Sequence, residues 1–148
     1  MAFTRFLFVS GTDLTSAPGP WSSSGAGDDP HRAWFAWRLV GSNNRELGRS
    51  YTAHPGLFEC QREALGLKTN VGYGEGVPLA DFDTGRWYWR YDVDGRTVAM
   101  AGRTYDRRRE AISNLNHFLS NISQAELAAD LIRRRPYARP SNDGRLAR

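Results

Sequence analysis

Cysteine, lysine and histidine are scarce in this chain of 148 residues. The single cysteine, Cys60, excludes an internal disulfide framework and any multi-cysteine metal site. It reads as a small buried residue on a helix, since no sequence feature supplies the partner a nucleophile needs. His31, His54 and His117 stand at no metal-ligand spacing to one another or to Cys60. Long apolar runs are missing too. Near the N-terminus the longest is Phe6-Leu7-Phe8-Val9, far too short for a signal-peptide core or a membrane span. These absences predict a cytoplasmic protein with no cofactor, no membrane partner and no enzymatic activity.

Lysine is almost absent, with Lys68 alone against nineteen arginines, a bias that a GC-rich genome explains as readily as selection for bidentate contacts. The net charge of +4 is unevenly spread. Residues 133–148 carry six arginines against Asp143, so this tail holds +5 and the remainder sums to about −1. The body is therefore close to neutral and the tail is basic. Apolar content of 40% with five tryptophans implies a folded core, at a length that fits one compact domain or two very small ones.

The residues with the strongest pattern are 85–103. Trp87-Tyr88-Trp89-Arg90-Tyr91 reads as a strand, Asp94-Gly95 as a tight hairpin turn, and the residues that follow, with Val98 and Met100, as the returning strand. Upstream, Trp34-Phe35-Ala36-Trp37-Arg38-Leu39, a turn at Gly41-Ser42-Asn43-Asn44, and Arg45 to Ser50 repeat that layout. Trp37-Arg38 matches Trp89-Arg90, and Arg62-Glu63-Ala64-Leu65 matches Arg109-Glu110-Ala111-Ile112. Alternation places Phe35, Trp37 and Leu39 on one face, and likewise Trp87, Trp89 and Tyr91. Trp37 and Trp89 are then the core of their copies, with Leu47, Val98 and Met100 expected on the same side. A helix follows each hairpin, clearest in the apolar stripe Ala111, Ile112, Leu115, Phe118, Leu119 and Ile122.

The remaining pieces are connectors and ends. Residues 11–32, rich in Ser, Gly and Pro, form a long loop with Trp21 in its middle. Gly72, Gly74 and Gly76 lack the strand, helix and spacing of a phosphate-binding loop and make a linker. Ser123-Gln124-Ala125-Glu126 has the spacing of a capping box, so a further short helix is expected there, ended by Pro136. Beyond Tyr137 the chain reads as disordered.

The expected architecture is α+β: two tandem βββα repeats, antiparallel sheets each backed by a helix, plus a short C-terminal helix. The boundaries are 1–72 for the first repeat, 73–122 for the second, and 123–148 for the short helix and basic tail. An aromatic-Trp-Arg strand, a turn with Asn or Gly, a return strand of small residues and a helix, in tandem, resemble the YegP-like family of small prokaryotic proteins of unknown function. Trp87-Tyr88-Trp89-Arg90 with Asp94-Gly95-Arg96-Thr97-Val98-Ala99 and Tyr105-Asp106-Arg107-Arg108 carry the likeness, and Trp34 to Leu39 with Asn43 to Leu47 carry it in the first copy. It spans residues 3–9 and 33–122. The resemblance implies the repeated βββα fold, and no activity or catalytic residue.

Two functional readings follow. The first is a non-enzymatic interaction or assembly module, engaging a protein partner or a second copy through a sheet edge or the tail. The second is a nucleic-acid-binding protein that uses an Arg and aromatic sheet face with the basic tail, DNA or RNA being the partner. The contact residues expected for either are Arg38, Tyr88, Arg90, Arg103, Arg133, Arg134, Arg135 and Arg139. Asp81, Asp83, Asp92 and Asp94 are read as turn and strand-edge residues, not as a metal or catalytic site.

Overall fold

Asp94 and Gly95 both take positive φ, 52° and 75°, the backbone that a two-residue hairpin turn requires and that glycine adopts without strain. They join β5 (Trp87–Val93) to β6 (Arg96–Met100). The upstream hairpin joins β2 (Trp34–Val40) to β3 (Glu46–Ser50), and its turn is closed by hydrogen bonds from Asn44 N–H to the Gly41 carbonyl and from Arg45 N–H to Asn43 Oδ1. Completing the order are β1 (Arg5–Gly11), α1 (Leu57–Thr69), β4 (Glu75–Ala80), α2 (Arg108–Ile122) and β7 (Glu126–Arg133). This computed structural model describes residues 3–11 and 33–133. The expectations for residues 12–32, with Trp21, and for 134–148, with Arg134, Arg135 and Arg139, lie outside the described residues.

All seven strands belong to one sheet, in the order β4-β5-β6-β3-β2-β1-β7. The sequence leaves open whether the two repeats share a sheet; in the structure β3 and β6 pair antiparallel at the centre through Arg49↔Met100 and Ser50↔Ala99. Joining the two triplets there removes two open edges, each a row of unpaired backbone groups. Both helices lie on one face. Trp37 shows this directly, because its Nε1–H donates to Glu63 Oε1 of α1 at 2.8 Å while its ring stacks on Phe118 of α2 at 6.4 Å. Phe118 is also 4.8 Å from the Trp89 ring and 6.4 Å from that of Tyr91, so one α2 side chain ties both hairpins into one core. Trp37, Trp89 and Phe118 are fully buried, as the alternation predicted for the two tryptophans.

Two expectations are corrected. The short helix after Ser123 is absent: Ser123 is the C-cap of α2, and residues 126–133 form β7, parallel to β1. Pairing with the open edge of β1, with a register shift between Leu127 and Leu131, satisfies backbone groups at both ends of the segment, which outweighs a local capping signal. Met100 lies opposite Arg90 and Arg49, on the face away from the helices, while Ala99 takes the place beside Tyr91. A register shift between Tyr91 and Asp92 leaves Val98 as the extra residue of β6, and one extra residue inverts the parity that a simple alternation assumes. The residues beside the two tryptophans are Glu63 in α1 and Asn114 in α2, which receives the Trp89 Nε1–H at 2.6 Å.

The acidic residues near the second hairpin serve local structure. Asp81 Oδ1 accepts from the N–H groups of Asp83 and Thr84, Asp92 receives Thr97 Oγ1 and Arg90 Nε, and Asp94 sits in the turn. The glycine-rich connector is held by Tyr91, whose hydroxyl accepts from Gly72 and Gly74 N–H at 3.2 and 3.0 Å. Those N–H groups are therefore engaged within the fold, and the connector acts as a linker.

Candidate functional site

The sheet face opposite the helices was the expected contact surface, and its arginines are paired. Arg38 Nε donates to Glu46 Oε1 at 3.0 Å, and Arg49 holds the same carboxylate through Nε and Nη2. Arg90 is paired with Asp92 at 3.1 Å. Tyr88 is only 2% exposed; burial and the nearby Asp81 carboxylate push its phenol up, against the pull of Arg90. Leu7, Arg38, Arg49, Met100, Arg90 and Val77 form one row across six strands, and Met100 in that row is buried. Arg103 is placed elsewhere, in the connection to α2, and Arg133 ends β7.

A different set of residues comes together around the start of β3 and the start of α2. The β2–β3 turn, the β6–α2 connection and the first turns of α2 enclose an open cleft of about 850 Å³. Arg45, Arg103 and Arg109 line it, one from each of these segments. None of the three pairs with a carboxylate among the described residues. The two carboxylates of the cleft are engaged: Glu46 by Arg38 and Arg49, and Glu110 by the Arg107 N–H at the start of α2. Asn43 and Asn114 also line it, and their oxygens accept from Arg45 N–H and Trp89 Nε1–H. Their NH₂ groups are what these side chains still offer. The cleft is thus rich in donors, with Glu46 held by two arginines and one Glu110 oxygen held by a backbone N–H, and the N-terminal end of the α2 dipole adds to its positive potential. Chemically it suits an anionic ligand with several oxygen acceptors.

A second hollow of about 340 Å³ lies beside the cleft on α2 and shares the row Arg109, Ser113 and His117 with it. Beside its mouth, Trp87 and Tyr105 exchange both backbone hydrogen bonds at 2.7 Å. The Arg103 guanidinium lies over the Tyr105 ring at 4.9 Å, and that of Arg108 over Trp87 at 6.0 Å. Burial pushes the Tyr105 phenol up, opposed by Arg103 and reinforced by Glu46 and Glu110, so the hydroxyl is neutral at physiological pH.

Sequence reasoning named Arg103 but missed Arg45 and Arg109. They are 64 positions apart, one in a turn and one in a helix, and no local pattern links them. The only legible signal was the Arg103-x-Tyr105 spacing, which sets both side chains on one side of an extended segment.

Among the described residues no group of three or more His, Cys, Asp or Glu is placed to hold a metal ion, and no helix is long and apolar enough to cross a membrane. Cys60 is fully buried, and burial together with the Glu63 carboxylate pushes its thiol far up. Native protein should therefore leave Cys60 unmodified by iodoacetamide at pH 8, with full alkylation once unfolded; rapid labelling of the native chain would contradict that burial. The same shift makes the fold lose stability as pH rises past the ordinary thiol value of about 8.5, because only the unfolded chain can then release the proton.

A seven-stranded, mostly antiparallel sheet with two helices on one face and an arginine-lined cleft beside the second defines an α+β scaffold with a candidate anion site. Its fold is that of YegP from E. coli, a protein of unknown function, at a TM-score of 0.57 and 9% identity over 86% of this chain and 92% of that one. A UPF0339 protein from Shewanella oneidensis is similar at a TM-score of 0.53 and 8% identity, over 83% and 91%. At these identities the likeness is one of fold, and it agrees with the YegP-like resemblance carried by the sequence. No family model matches the chain, and neither does any curated protein.

Proposed function

We propose that this chain is a non-enzymatic interaction module built on a duplicated βββα unit, and that it engages an anionic partner at the cleft of Arg45, Arg103 and Arg109. The observation that carries this reading is the contrast in pairing. Arginines of the sheet face are held by Glu46 and Asp92, whereas those of the cleft face no carboxylate partner among the described residues. Unpaired guanidiniums cost little in solvent and are available to a ligand carboxylate, sulfate or phosphate.

The duplication is supported by matched irregularities. Each hairpin carries a register shift close to its turn, at Leu39/Val40 and at Tyr91/Asp92. Each also has an isolated bridge to the segment before its helix, Phe35↔His54 and Trp87↔Tyr105, and an indole N–H bonded to that helix. Pairing of Arg49 with Met100, the equivalent position of the other unit, relates the halves by a local two-fold, as in an isologous interface.

Edge pairing with a second copy is less favoured at β4, where Pro78 offers no N–H and blunts the edge. The nucleic-acid reading based on Arg38, Tyr88 and Arg90 is less favoured too, since two of these are ion-paired and the third is buried.

Heparin chromatography of the full chain tests the cleft. Arg45→Glu/Arg109→Glu is compared with Arg62→Glu/Arg96→Glu, a pair of exposed arginines outside the cleft, so that net charge and tail are the same in both. The cleft variant should elute at clearly lower salt. Co-elution of the two would leave net charge as the whole of the attraction and overturn the reading.

A further inference from the structure

Resting on the anionic-partner reading of the same cleft, we infer that its ligand is single-stranded nucleic acid, with phosphates on Arg45 and Arg109 and a base stacked at the Trp87–Tyr105 platform. Two features beyond positive charge point this way. First, the site is wide. The main cleft and the shallower hollow flank one row of α2, Arg109, Ser113 and His117, so ligand-accessible surface lies on both sides of Arg109. A small anion would use only part of it.

Second, the platform supplies stacking surface next to the charge. Trp87 and Tyr105 are half-buried and lie side by side on one face, because they form a hydrogen-bonded cross-strand pair. Each ring carries a guanidinium, Arg103 on Tyr105 and Arg108 on Trp87, and both arginines are exposed. A guanidinium beside an aromatic ring adds a cationic group to a surface on which an unpaired base can stack. An acidic peptide would use the guanidiniums and leave this surface idle. A duplex keeps its base faces inside the stack and cannot reach it. The equivalent place in the first half, the Phe35↔His54 bridge, has no guanidinium over it among the described residues, so the platform belongs to the half that also holds the cleft.

The test is fluorescence anisotropy of the full chain with labelled dT15, rU15, a 15-base-pair duplex and polyglutamate across a salt series. The single strands should bind more tightly than duplex or polyglutamate. Arg45→Gln/Arg109→Gln should flatten the dependence of log affinity on log salt for dT15 by about 1.4, at about 0.7 for each phosphate no longer neutralised. Tyr105→Leu should weaken dT15 binding about tenfold with the salt slope unchanged, the signature of a missing stack. Arg103→Gln is the companion variant, since it removes the stacked guanidinium at an exposed position. Polyglutamate or duplex binding as tightly as dT15, with Tyr105→Leu and Arg103→Gln leaving the stacking component intact, would overturn the nucleic-acid assignment and keep the anionic cleft. Indifference of every probe to Arg45→Gln/Arg109→Gln would overturn both.

Discussion

Trp89→Ala lowers folding stability by about 3–5 kcal/mol, the range of a core aromatic truncation. The indole is fully buried, packed at 4.8 Å against Phe118, and bonded through Nε1 to Asn114 Oδ1 at 2.6 Å. Alanine leaves a cavity in the middle of the sheet and strips Phe118 of a neighbour on which both hairpins depend. It also takes the donor from a partly buried amide oxygen, which adds an unsatisfied polar group to the packing loss. Trp89→Phe is the intermediate case, because it keeps one aromatic ring but loses the hydrogen bond and part of the buried indole; a smaller cost, about 1–2 kcal/mol, is expected. Urea denaturation of the three proteins measures both. A loss below about 1 kcal/mol for Trp89→Ala would mean that the ring is not part of the core.

Gly48→Ala is the second large effect, and it acts by overfilling. A Cβ at this position would stand 2.7 Å from Phe118 Cδ2 and 2.8 Å from Trp89 Cη2. Neither ring has room to withdraw, since both are fully buried. The strand or α2 must shift, at a cost of about 1–3 kcal/mol. Gly66→Ala provides the opposite sign. It lies within α1 with nothing near its Cβ, so alanine there stabilises by about 0.5–1 kcal/mol through helix propensity. Thermal melts of the pair should therefore move apart. Equal melting temperatures would show that the approach of β3 to α2 is looser than the structure has it.

Much of the fold was legible because its signals are local. Strand parity put Trp37 and Trp89 inside, the Asp94-Gly95 pair closed its hairpin, and the stripe of α2 pointed its helix at the sheet. What misled were positions where one residue of slip or one competing partner decides the outcome. The extra residue Val98 moved Met100 to the other face, and nothing in the run Arg96 to Met100 announces a bulge. The residues after Ser123 carry a helix-start pattern, but the edge of β1 was available to them and pairing satisfied more backbone. Arg38 and Arg90 lie on the predicted face, yet they are neutralised by Glu46 and Asp92, and a sequence does not display which carboxylate a side chain will meet.

By itself the sequence determined the elements: which segments alternate, which carry a helical stripe, where turns demand positive φ, and that no cysteine framework or apolar span exists. Each of these follows from interactions within a few residues. Only the tertiary structure decided that two triplets of strands share one sheet, since β3 and β6 meet through pairing that neither hairpin specifies. It alone also brought Arg45, Arg103 and Arg109 to one cleft while pairing the sheet-face arginines away. Charge pairing depends on distance through space, and distance between residues far apart in the chain is fixed only when the core has packed.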